Sequence, residues 1–410
     1  MLGSSGLAFW LTADVENVKI PLVMLLVFGA AKLLAELFET LHQPGIVGEI
    51  LAGVLLGPAA LGWIAPNNFL SSLADLGVMF LLFRVGLEVK SSELMKVGGT
   101  ATLVAASGVA VPFFMGWGIL ALWGAPPIES VFVGVAMVAT SVGITAQVLA
   151  AKGLLQHTSS QIILAAAVID DVFGMLALAV VGSMAKGTIN LLDITLTILL
   201  AGAFVVVVAK WGSHAMKQFV PQVEERTSVA DAEFAFAMCL LFALSLLAMY
   251  AGVAAIVGAF LAGMALGESV GKRVHTLVQG TTELLVPFFL VGIGLHVNLG
   301  VLRDPATISL ALVVLAAAVV SKFIGCGLGA AGMGRANALR IGVGMIPRGE
   351  VGMVVAQIGL GMGVISQPVY GVVVFMAVAT TLVAPPLIKI AFRGITTDGS
   401  PASKQTLRHT

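Results

Sequence analysis

Gly48-Glu-Ile-Leu-Ala-Gly-Val-Leu-Leu-Gly57 returns later in the chain as Gly258-Ala-Phe-Leu-Ala-Gly-Met-Ala-Leu-Gly267, identical at six of ten positions with an offset of 210. A second echo follows at offset 208. Met79-Phe-Leu-Leu-Phe-Arg-Val-Gly-Leu-Glu-Val89 aligns with Pro287-Phe-Phe-Leu-Val-Gly-Ile-Gly-Leu-His-Val297, sharing Phe, Leu, Gly-Leu and Val. One such match could come from composition alone. Two at nearly one offset, in consecutive segments, point to a duplicated unit.

The medium around that unit follows from composition. The 410 residues are 59% hydrophobic and 10% charged, with 48 glycines. A water-soluble domain of this size needs far more charge on its surface. The formal net charge is zero, so no nucleic-acid footprint is present. Cys239 and Cys326 lie within apolar segments and read as packing residues. Windows of about 20 residues, punctuated by Pro, Gly and charge, predict thirteen membrane spans. These cover 19–40, 44–63, 69–87, 97–123, 128–151, 158–183, 190–210, 229–249, 251–267, 278–297, 306–331, 335–361 and 367–393. The first duplicated pair falls in spans 2 and 9, the second in spans 3 and 10. An odd separation reverses the direction of travel, so the halves are expected to be inverted repeats. The expected organisation is an extramembrane start over 1–18, a first repeat over 19–183 and a connector helix with a cytoplasmic loop over 184–228. A second repeat over 229–393 and a short cytoplasmic tail over 394–410 complete it.

With the C-terminus placed in the cytoplasm, fourteen Lys and Arg residues between Lys90 and Arg408 fall inside, against Lys19, Lys186 and Arg303 outside. That asymmetry fits a cytoplasmic-membrane protein with its N-terminus outside. Lys32, Arg84, Lys322 and Arg348 lie within spans.

A charge in hydrocarbon is costly, so each needs a partner or a task. Ala165-Ala-Ala-Val-Ile-Asp170-Asp171-Val-Phe-Gly174 puts two adjacent acids near the middle of span 6, far from any terminus they could cap. Neighbouring side chains on a helix diverge by about 100°, so the two acids are free to take different roles. Lys322, in Val320-Ser-Lys-Phe-Ile324 of span 11, is the natural counter-charge. Two spans read as broken: span 5 through Ala139-Thr-Ser-Val-Gly-Ile-Thr-Ala146 and span 12 through Gly342-Val-Gly-Met-Ile-Pro-Arg-Gly-Glu-Val-Gly352. Proline and glycine there release backbone groups that can meet ions or half-helix dipoles. Offset 207 takes Thr140 to Pro347, so the interruptions occupy matching places. Arg348 and Glu350 are expected either to neutralise each other or to compensate exposed half-helix ends. Glu49, Arg84, Lys32 and His296 receive no role. An intramembrane aspartyl protease would need its two acids on separate helices facing one water, which adjacent acids do not provide.

Gln43-Pro-Gly-Ile-Val-Gly-Glu-Ile-Leu-Ala-Gly-Val-Leu-Leu-Gly-Pro58, Leu81-Leu-Phe-Arg-Val-Gly-Leu-Glu88, Thr140-Ser141, Asp170-Asp171, Lys322 and Arg348-Gly-Glu350 together resemble the monovalent cation:proton antiporter-2 family, in its NapA-type sodium/proton branch. The resemblance spans nearly the whole membrane region. It implies an all-α polytopic fold of about 13 helices, two inverted repeats and two crossed broken helices, within a mobile core beside a fixed dimerising panel. It further implies that Asp171 binds the cation and exchanges it for a proton, and that Asp170 pairs with Lys322. Thr140 and Ser141 would line the site, and Glu350 would support the crossing. The implied function is electrogenic exchange of Na+, or Li+, for H+ by a homodimer in lipid, with no enzyme activity, cofactor or nucleic-acid partner. The alternative is a Kef-like K+/H+ antiporter lacking a regulatory domain; Kef-type proteins typically carry Gln before the acid, where this chain has Asp170.

Overall fold

The computed structural model describes residues 16–185, 191–226, 231–297, 304–393 and 395. The expected N-terminal segment before Glu16, Lys186, Arg303 and all of the expected tail except Ile395 lie outside the described residues. Among the described residues fifteen α-helices account for the regular structure, apart from one short turn of 3-10 helix. They are α1 (Glu16–Thr40), α2 (Gly45–Leu56), α3 (Asn68–Glu88), α4 (Ser91–Leu122), α5 (Pro127–Ala136), α6 (Val142–Ala151), α7 (Thr158–Ala185) and α8 (Leu191–Arg226). The chain continues with α9 (Ala232–Tyr250), α10 (Ala255–Leu266), α11 (Lys272–Leu295), α12 (Pro305–Gly329), α13 (Arg335–Gly344), α14 (Glu350–Gly361) and α15 (Gln367–Ala391). Among the described residues nine helices are long and apolar enough to cross a membrane. With α5/α6 and α13/α14 each taken as one interrupted passage, the helices follow the expected order of thirteen.

Two expectations about length need correction. Spans 2 and 9, expected over 44–63 and 251–267, contain helices of only 12 residues each. At 1.5 Å per residue these are about 18 Å long, short of the roughly 30 Å hydrocarbon layer. Gly57-Pro58 ends α2, because Pro58 lacks the N–H that would continue the ladder, and turns closed by Leu61 N to Leu55 O follow. The helices themselves are covered by protein, Ile50, Ala52, Ala259 and Ala262 being fully enclosed, whereas Pro58 and residues 60–63 after α2 are exposed. The connector is expected to end at 210 and give way to a loop. Instead α8 runs 36 residues to Arg226, because Lys210–Arg226 is rich in helix formers, and Lys217 is tied to Glu268 at 2.6 Å. Cys326 is buried, whereas Cys239 faces outward and does not pack in the core.

The helices gather into two bodies. One holds α1–α3 and α9–α11, the other α4–α7 and α12–α15, and α8 leans on α10. Glycines set the first body's packing. A Cβ on Gly53 of α2 would strike the Val291 carbonyl of α11, and one on Gly263 of α10 would strike the Phe83 carbonyl of α3. Gly48 packs on the backbone of Leu34, and Gly258 on that of Leu244. The glycines recur at an offset of 210: Gly48 and Gly258 each pack on the preceding helix of their own repeat, whereas Gly53 and Gly263 each meet a helix of the other repeat, α2 on α11 and α10 on α3.

Candidate functional site

The second body is organised around two interruptions. α5 stops at Ala136 and α6 resumes at Val142; α13 stops at Gly344 and α14 resumes at Glu350. Pro347 accounts for the latter break by removing a donor and pushing Ile346 out of helical conformation. The two gaps satisfy each other. Ser141 N donates to Pro347 O at 2.8 Å, and Thr145 Oγ1 donates to Gly344 O at 2.6 Å. Gly349 faces Ser141 so closely that a Cβ would meet its Cβ and Oγ at 2.6 Å. Two helix C-termini and two N-termini therefore end within one crossing, bringing partial charges of both signs together.

Arg348 is completely enclosed at this crossing. Its Nη1 donates to Val138 O at 3.0 Å and Ala139 O at 3.2 Å, the carbonyls that follow the end of α5. Nη2 donates to Ala318 O of α12 at 3.1 Å. A guanidinium thus sits where α5 presents its negative end. Its backbone N donates to Thr380 Oγ1 at 3.1 Å. Glu350 opens α14; its side chain lies outside the described residues.

α7 packs against α5, α6 and α13, and carries both acids into this environment. Lys322 Nζ lies 2.9 Å from Asp170 Oδ1, with both side chains at most 1% exposed. Gly108 makes room for Cys326 Sγ, one helical turn from Lys322, since a Cβ there would lie 2.5 Å from that sulfur. Asp171 is buried at 8% exposure, and Thr140 and Ser141 are buried in the α5/α6 break. Thr140 Oγ1 makes no hydrogen bond to any described residue. Carboxylate and hydroxyl oxygens are donors of the kind that hard cations take.

Other in-membrane charges pair locally. Lys32 meets Glu49 at 2.9 Å, Arg84 Nε lies 3.9 Å from Glu88, and His296 Nδ1 contacts Gly292 O at 2.7 Å. Three contributors escaped the sequence reading. Thr145 and Thr380 brace the crossing, and buried Glu129 accepts from Ser366 N and Oγ, both at 2.8 Å, joining the start of α5 to the start of α15. Thr380-Thr381 lies 210 residues after Asp170-Asp171, so the repeat offset was the signal for Thr380.

Known proteins share this chain's sequence pattern and fold. A family model described as sodium/hydrogen exchanger, transmembrane, matches residues 22–394. The high-affinity Na+/H+ antiporter NhaS3 of Synechocystis is 34% identical, the match covering 93% of this chain and 91% of that one. The Na+/H+-K+ antiporter GerN of Bacillus cereus is 31% identical, with 90% and 95% covered. The solved structure of the sodium proton antiporter MjNhaP1 from Methanocaldococcus jannaschii superposes with a TM-score of 0.71 at 18% identity, over 93% of this chain and 97% of that one. That likeness concerns the fold.

Proposed function

The chain belongs to the sodium/hydrogen exchanger family, and on that premise we propose that it exchanges Na+ for H+ by alternating access across a bacterial cytoplasmic membrane. The observation that carries this reading is the acid pair on α7 at the crossing of interrupted helices, with Lys322 engaged by Asp170. Asp171 holds either a proton or the cation. A bare carboxylate is too costly to carry through a dry layer, so the element bearing Asp171 changes sides only when that charge is neutralised. Competition for one carboxylate couples the two flows. Thr140 and Ser141 supply further oxygens, Asp170 holds Lys322 in place, and Arg348 with Glu350 supports the crossing. The adjacent-acid arrangement favours electrogenic exchange, and Li+ is a second substrate. The glycine contacts repeated at an offset of 210 support an architecture of inverted repeats. The excess of Lys and Arg on the side of the α15 C-terminus supports a cytoplasmic C-terminus and an external N-terminus, and a homodimer in lipid is the assembly.

K+ exchange is a second reading, because GerN is named for both Na+ and K+. Purified protein in liposomes loaded with a pH-sensitive dye separates the two when Na+, Li+ or K+ is added with and without an imposed voltage. Na+ is expected to drive proton release and Asp171→Asn to reduce it to the protein-free background. Unchanged flux in that variant refutes the assignment of Asp171.

A further inference from the structure

Two cavities flank the helix crossing on opposite faces, each between the two bodies. One, of about 260 Å³, is walled by Asp75 and His296 from the first body and Gln357 from the second. The other, of about 520 Å³, opens on the face where α1, α6 and α15 end. Its charged lining comprises Lys32, Glu36, Glu39 and Glu49 from the first body with Lys152 and Lys389 from the second. Gln147 of α6 also lines it, about 9 Å along the helix from Ser141. This larger vestibule therefore approaches the crossing closely.

One acid in its wall is withdrawn from solvent. Glu49 is 7% exposed and held by Lys32, whose own side chain is 48% exposed. Folding does not explain the pair. At an offset of 210 the corresponding residues are Phe242 and Ala259, and α10 makes the same glycine-mediated crossings as α2 without any charge. Apolar residues in place of a buried ion pair are commonly neutral or stabilising. An acid kept here is thus a functional feature of one repeat. Its counter-ion is also replaceable. Lys32 is a flexible, half-exposed ammonium, and the Phe28 ring, 5.7 Å from Nζ, offers it another station. The remaining vestibule charges balance, two acids against two lysines, with Lys389 Nζ engaged by His42 O at 2.5 Å.

We propose that Glu49 is a staging site for the transported monovalent cation in the larger vestibule, and that the cation displaces Lys32 from it. The inference rests on the exchange reading above. Its test measures the KM for Na+ from each face separately, in proteoliposomes of defined orientation. Glu49→Gln is expected to raise KM from the vestibule face about tenfold, equivalent to about 1.4 kcal/mol. The opposite-face KM and kcat should stay within about twofold. Lys32→Met removes the tethered competitor and is expected to lower the vestibule-face KM. The exchange Lys32→Glu with Glu49→Lys restores an ion pair but not a cation site, so its KM should resemble that of Glu49→Gln. Full recovery in the exchanged pair, or equal KM changes on both faces in Glu49→Gln, makes the pair structural and overturns the inference. Should Glu49→Gln fail to fold, Lys32→Met decides, an unchanged or raised vestibule-face KM being the contrary result. Wild-type protein without Na+-dependent flux would remove the exchange reading and this inference together, whereas the other outcomes remove the inference alone.

Discussion

Asp170 and Lys322 are each sealed from solvent, and a sealed charge is tolerable only with its opposite beside it. Removing one partner of such a pair costs about 3–5 kcal/mol, while neutralising both costs far less. Lys322→Gln is therefore expected to lower the melting temperature in detergent markedly, and adding Asp170→Asn to restore most of the loss. A double variant no more stable than Lys322→Gln would mean the ion pair is not what makes the single change costly. Asp170→Asn alone should weaken the fold more than it weakens Na+ affinity, the reverse of Asp171→Asn; lost affinity with unchanged melting would contradict that division. The acids and the lysine were legible in the sequence because a charge inside an apolar run is too costly to persist without a partner or a task. Thr380 was legible only through the repeat offset, since a hydroxyl costs little in a membrane helix and signals nothing alone. Lys32 and Glu49 stood as separate oddities because reach between two helices 17 residues apart is a property of the folded chain.

At the scale of elements, the interruptions at 137–141 and 345–349 were legible because proline, glycine and small polar residues cluster there. The short α2 and α10 were not. An apolar run reports preference for lipid or core, and only packing reveals that twelve helical residues are covered by neighbours. The start of α7 carries a further consequence. Ser159 N donates to His157 Nδ1 at 3.1 Å, which requires an unprotonated nitrogen. Ser159 Oγ and Arg340 Nη1 both reach Asn337 Oδ1, at 3.1 and 3.2 Å, while Arg340 Nε donates to Ala391 O. Burial, and then the charge of Arg340, hold His157 below its usual value of 6.5, and the positive end of α7 acts in the same sense. A lowered pKa in the fold means that the unfolded chain takes up the proton first as pH falls. The stabilisation is complete above about pH 6.5 and declines below it until the folded histidine also protonates. The melting temperature of the wild type should accordingly drop more between pH 7 and pH 5, a window on the order of the unperturbed histidine range, than that of His157→Gln. Parallel curves for the two proteins would exclude His157 as the source.

For the whole molecule, the question is what moves when the barrier changes sides. Asp170, Asp171, Lys322 and Arg348 all belong to the body of α4–α7 and α12–α15, while the Lys32–Glu49 pair and the glycine-mediated crossings belong to the other. Contacts within each body include enclosed charges and backbones in direct contact. Among the described residues two single hydrogen bonds join the bodies at the vestibule face, from Lys389 Nζ to His42 O and from the Gln156 amide to Glu88 O. The amide bond is worth about 0.5–1.5 kcal/mol net and the one from the Lys389 ammonium about 1.5–3 kcal/mol, so the polar ties across this seam are weak beside the sealed Asp170–Lys322 pair that motion inside the second body would separate. A tether across the seam should therefore stop exchange. In a background with Cys239 and Cys326 replaced by Ser, Gln43→Cys and Lys389→Cys place one thiol on each wall of the vestibule. A cleavable bis-maleimide is expected to abolish Na+-driven proton flux, cleavage to restore it, and a monofunctional maleimide to leave it largely intact. Flux persisting in fully cross-linked protein would mean that the two bodies keep their spacing at this face throughout the cycle, and that the switch must be sought within the crossing itself.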